Sequence, residues 1–141
     1  MYQPHKYRHN IAIYDTQTNT SELIPVFVNA QNLNPVFSPD NHSIYFLSDR
    51  DGFRNLYRYD IDSDEVFQLT DYLTGIFGIT NYAPAISIAD NSADIAYSYY
   101  TNGTYQIFTA KETDFETKKV NANNVNQEAA DLPPVKRFTP Y

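Results

Sequence analysis

Two groups of residues have the types and spacing of metal sites. His5 and His9 stand four apart, the spacing that sets two imidazoles on one helical face, as zinc hydrolases require. The intervening Lys6-Tyr7-Arg8 lacks the glutamate that would act as base, and Lys6 and Arg8 repel a cation, so no metal is expected there. Asp60, Asp62 and Asp64 alternate as the first ligands of a calcium loop do, with Glu65 beside them. The central glycine and the distal glutamate of such a loop do not follow. Since the segment aligns with the plain turn Thr16-Gln17-Thr18-Asn19, a solvated hairpin tip is the expectation. His42 falls in a turn and is expected to be solvated.

Covalent and phosphate chemistry find less. There is no cysteine, and no Gly-x-Ser-x-Gly spacing that would put a serine on a strained turn. Gly52, Gly75, Gly78 and Gly103 are too scattered to converge backbone amides on a phosphate. Carboxylates are plentiful, but nothing singles out a pair for acid–base work. No catalytic residue and no cofactor is expected. What remains is recognition. Asp49-Arg50-Asp51 is either a partner contact, arginine being common at binding hot spots, or a turn-capping network of the fold itself. Tyr99, Tyr100 and Tyr105 are either a recognition patch or packing for a neighbouring sheet.

The elements that must position these residues are strands. Among 141 residues, 13 are Tyr and 9 Phe, types that favour pleated, half-buried surfaces, and no run is long and apolar enough for a membrane helix. Ser43-Ile44-Tyr45-Phe46-Leu47-Ser48 sets Ile44 and Phe46 on one side and Tyr45 and Leu47 on the other, as a strand sandwiched between two layers does. Asp51-Gly52 reads as the hairpin turn to a return strand, Asn55–Tyr59. The polar Asp62-Ser63-Asp64-Glu65 then turns into Val66–Leu69, and Pro35-Val36-Phe37 is a strand before all of these. The set is one four-stranded antiparallel meander.

The meander recurs. Gly52 and Gly103 anchor a second copy at an offset of 51 residues, which sets Ile95 on Ile44 and Ile107 on Leu56. Pro35 and Pro84 match at an offset of 49, which implies a two-residue insertion around Asp90-Asn91. Nearer the start, Tyr14-Asp15 matches Tyr59-Asp60 at an offset of 45. Residues 9–28 then form half a unit, 34–70 a whole one and 83–120 a degraded third. The connector Tyr72–Thr80 is either a functional loop or a cover in which Leu73, Ile76 and Phe77 close the end of the core. Residues 121–141 carry few large apolar side chains and are expected to form a polar linker or tail.

The whole unit, NPVFSPDNHSIYFLSDRDGFRNLYRYDIDSDEVFQLTD, resembles the TolB-like, WD-like β-propeller repeat. The match rests on Pro35, Phe37-Ser38-Pro39-Asp40, Ile44, Phe46, Ser48-Asp49-Arg50, Gly52, Leu56-Tyr57, Asp60 and Leu69-Thr70. It departs at Asn41 and Asp64, where glycine is common, and both substitutes tolerate tight turns. The resemblance implies an all-β chain of four-stranded blades, about two and a half of them in residues 1–120, in a family whose propellers close with roughly 4–8. It also implies a non-catalytic platform for protein partners in an extracytoplasmic, periplasmic setting, or alternatively the propeller domain of a peptidase or other hydrolase. Each uncovered blade face of ~400 Å² would forfeit about 10 kcal/mol of burial, so a protein partner, further blades or self-association is expected to cover it.

Asp and Glu number 17 against 10 Lys and Arg, a net charge of −7, which opposes nucleic-acid or anionic-membrane partners. The polar opening MYQPHKYRHN carries no expected signal peptide.

Overall fold

The computed structural model describes residues 8–131. It contains ten strands: β1 (Ala12–Asp15), β2 (Thr20–Leu23), β3 (Asn32–Phe37), β4 (Ser43–Ser48), β5 (Asn55–Asp60), β6 (Glu65–Gln68), β7 (Ile86–Ile88), β8 (Ile95–Thr101), β9 (Thr104–Ala110) and β10 (Lys118–Val120). They form three antiparallel sheets, β1-β2, β10-β6-β5-β4-β3 and β7-β8-β9. The remaining regular structure among the described residues is two single 3-10 turns, Glu112–Asp114 and Glu128–Ala130.

The five-stranded sheet lies between the other two because both of its faces are apolar. Ile44 and Phe46 of β4 join Tyr57, Tyr59 and Val66 in one buried cluster, which Ile11 and Ile24 cover from the β1-β2 side. Tyr45 and Leu47, on the opposite face, join Leu56 and Leu69 in a second cluster with Ile86, Ile95 and Tyr97 of the third sheet. Phe46, Leu47, Leu56 and Tyr57 are at most 1% exposed, so truncating any of them to alanine removes about 2–5 kcal/mol. The alternation in β4 therefore builds two interfaces from one strand.

The offset of 45 residues holds strand for strand. β1 and β2 pair as Asp15↔Thr20, and β5 and β6 as Asp60↔Glu65. Each hairpin closes with a left-handed residue, Asn19 at φ 54° and Asp64 at φ 56°. In each, a tyrosine five residues earlier donates to that side chain, Tyr14 to Asn19 at 2.9 Å and Tyr59 to Asp64. Asn and Asp suit the position because a short polar side chain offsets the steric cost of positive φ.

The structure corrects five expectations. Asp51-Gly52 does turn β4 back into β5, with Gly52 at positive φ, but in a longer loop and not a tight turn. Ser48 pairs with Asn55, and within the longer loop Gly52 (φ 96°) donates its N–H to the Asp49 carbonyl at 2.8 Å. The tight turn is Asn102-Gly103, with φ 52° and 79° and Thr101 paired to Thr104, as a type I′ turn requires. No insertion separates the repeats at Asp90-Asn91: Ser38 N–H to Ser43 C=O and Ala89 N–H to Asp94 C=O close loops of equal length, so Pro35 and Pro84 do not stand at equivalent positions. Third, the central sheet has five strands and the third sheet three. β10, counted in the third unit, pairs with β6 through Lys119↔Phe67 and adds the extra strand to the central sheet.

Fourth, residues 121–131, expected as a polar tail, lie along the central sheet. Phe27 donates its N–H to Ala122 C=O at 2.8 Å, Asn126 donates to Arg50 C=O at 2.7 Å, and Ala122 and Val125 pack on the first cluster. Residues 132–141 and His5 lie outside the described residues. Last, of the three side chains expected to close the core from the connector, Ile76 is fully buried and Phe77 half-buried, whereas Leu73 is 75% exposed. Ile76 is held by its N–H, which donates to Arg54 C=O at 2.7 Å.

Candidate interaction surface

The residues singled out for recognition occupy three different environments. Asp49 and Arg50 are turned into the fold. Asp49 accepts from the Gln31 N–H at 2.8 Å and from Gln127 Nε2 at 2.9 Å. Arg50 donates to Tyr57 Oη at 3.0 Å and to Gln68 Oε1 at 2.8 Å, and its guanidinium lies 5.4 and 5.5 Å from the ring centres of Phe27 and Tyr57. Asp51 accepts from the Phe53 N–H at 3.2 Å. The cluster ties the β4–β5 turn to the segments 27–31 and 124–127. Beside it lies a polar hollow of about 270 Å³ edged by Arg8, Asn29, Gln31, Asp49, Gln127 and Asp131.

The tyrosines divide by the pleat of β8. Tyr99 faces the central sheet, 4.8 Å from the Tyr72 ring, and its hydroxyl accepts from Thr74 Oγ1 at 2.7 Å. Tyr100 points the other way and meets Tyr105 of β9 edge to face at 5.1 Å, the two being cross-strand partners. Both are 49% exposed. The structure thus brings Tyr100 and Tyr105 together and separates them from Tyr99 and from Asp49-Arg50-Asp51.

Ile107 completes that outer face. It pairs with Ser98, on the same side as Tyr100, and is 80% exposed. Between Ser87, Ala96, Ser98 and Ile107 lies an apolar hollow of about 230 Å³. Strands β8 and β9 carry no charged side chain at all. The sequence signal for Ile107 was the repeat itself, which sets it on Leu56, a residue with no exposure in the second cluster. An apolar, uncharged, rigid aromatic surface of this kind is suited to contact with another protein surface.

Burial pushes the phenols of Tyr45, Tyr57 and Tyr97 up, away from neutral pH, so they serve as hydrogen-bond donors or acceptors without ionising. The carboxylates of 60–65 diverge to separate partners: Asp60 accepts from Ser43, Asp62 pairs with exposed His42 at 2.7 Å, and Asp64 accepts from Tyr59. Among the described residues no three His, Asp or Glu side chains converge as a metal site.

The chain is similar to TolB from Acinetobacter baumannii. The two superpose with a TM-score of 0.58 over 80% of this chain, at 18% identity. The fold is β-propeller-like. The match spans 27% of the length of that TolB chain. No protein-family model matches the sequence, and no curated protein does. Among the described residues no helix is long and apolar enough to cross a membrane.

Proposed function

We propose that this chain is a section of a TolB-like β-propeller that works as a non-catalytic docking platform for protein. One observation carries the reading: the outer face of the β7-β8-β9 sheet exposes Tyr100, Tyr105 and Ile107 where the equivalent face of the central sheet is buried against a neighbouring sheet. A face built to be covered by protein, and free of charge, binds through apolar burial and aromatic contact. The reading extends to membership of a longer, envelope-associated protein in an extracytoplasmic setting, which the TolB-like resemblance of residues 34–71 supports. Further blades of the same protein and separate protein partners are both surfaces of the required kind.

The test is photo-crosslinking in producing cells. With p-benzoylphenylalanine replacing Tyr100 or Tyr105, irradiation should yield adducts of protein mass, and the same probe at the hairpin-tip position Asp62 should yield none. If neither tyrosine position captures protein, the reading fails.

A further inference from the structure

The two end sheets each expose one face, and the repeat relates those faces to each other. On the third sheet, Ala96, Ser98 and Ile107 stand at the positions of Tyr45, Leu47 and Leu56, at the offset of 51. Those three central-sheet residues are buried in the second cluster, against the sheet that follows. On the β1-β2 sheet, Ala12 and Tyr14 stand at the positions of Tyr57 and Tyr59, at the offset of 45, and Leu23 stands at that of Gln68. Tyr57 and Tyr59 belong to the first cluster, against the sheet that precedes. Here, however, Tyr14 is 58% and Leu23 62% exposed. One end therefore presents a following-side face and the other a preceding-side face, the two halves of a contact the chain already makes twice within itself.

We propose that copies of this chain associate head to tail, the outer face of the β7-β8-β9 sheet of one copy covering the outer face of the β1-β2 sheet of the next. The proposal rests on the docking reading above and names its partner as a second copy, which supplies the neighbouring sheets in place of further blades of the same chain. Size favours this pairing over two like faces meeting. Ala96 and Ser98 have replaced the larger Tyr45 and Leu47 and leave the 230 Å³ hollow, while Tyr14 and Leu23 project from the opposite end. Charge favours it too. Molecules of net charge −7 repel, and these two faces, Ala12, Tyr14, Ser21 and Leu23 on one and Ala96, Ser98, Tyr100, Tyr105 and Ile107 on the other, carry no charge. A contact between unlike faces is heterologous, so it propagates into rings or open chains.

Light scattering on a size-exclusion column, over a concentration series of the whole chain, tests this. The native sequence should show a mass that rises with concentration beyond the monomer. Ile107→Asp and Leu23→Asp, each at an exposed position, should both be monomeric. An equimolar mixture of the two should form a dimer and nothing larger, because each variant retains the face the other has lost. Circular dichroism checks folding, and Tyr105→Asp replaces Ile107→Asp if that variant does not fold. A native chain monomeric throughout, association that survives both substitutions, or a mixture that stays monomeric each overturns the proposal. If the chain is monomeric while Tyr100 still crosslinks to other proteins, the docking reading stands and the head-to-tail contact falls.

Discussion

Tyr59 shows how a single phenol is tied to the stability of the first interface. Its ring is 4% exposed among Ile44, Phe46 and Val66, and its hydroxyl donates to Asp64 at the hairpin tip. Burial first, and the bond to Asp64 second, push its pKa from 10.0 up to about 12. The folded state therefore holds this proton more tightly than the unfolded chain does. The associated stability is whole below pH 10.0 and is lost as pH rises through about 12. Urea midpoints measured across that range should fall more steeply for the native chain than for Tyr59→Phe, the difference amounting to roughly 1–3 kcal/mol. Equal slopes would mean that the phenol is solvated. Arg50 makes the complementary point about reading charge from sequence. Flanked by two acids, it bonds instead to Tyr57, Gln68 and the Asn124 carbonyl and covers two aromatic rings, so its charge serves packing.

At the scale of the element, the turns decide what substitution costs. Gly103 (φ 79°) has open space around its missing Cβ, so Gly103→Ala should cost only the conformational term, about 1–2 kcal/mol. Gly75 (φ 74°) is buried in the connector, where a Cβ would lie 2.7 Å from the Phe77 ring and 3.0 Å from the Arg54 carbonyl. Gly75→Ala should therefore cost a further 1–3 kcal/mol or so from overpacking, read as the difference between the two urea midpoints. Equal losses would contradict the packing of the connector. Much of this level was legible. The two-sided alternation of Ile44 to Leu47 predicts a strand between layers, and the 45-residue offset predicts hairpins that prove to match in tip and register. β10 was not legible, because it is a three-residue edge strand with two lysines, and edge pairing is satisfied by backbone groups that every residue has. The same holds for 121–131, whose anchors are the Ala122 carbonyl and the Asn126 amide. On the third sheet, the place of Ile107 beside Tyr100 and Tyr105 could be read only by carrying burial across from one repeat to the next.

At the scale of the molecule, the described chain is three sheets in a row with two apolar layers between them, and the central sheet belongs to both. This arrangement leaves the end faces uncovered, and it makes stability uneven. β4 and β5 are paired on both edges and buried on both faces, whereas β9 pairs only with β8 and is exposed along almost its whole length. Native-state amide hydrogen exchange of the dilute chain tests this most directly, because it reports the opening of each strand separately. Amides of residues 43–48 and 55–60 should exchange slowest, at the rate set by global unfolding, and those of 104–110 that face away from β8 should exchange orders of magnitude faster. Exchange of β4 and β5 as fast as that of β9 would contradict a sheet buried between two others.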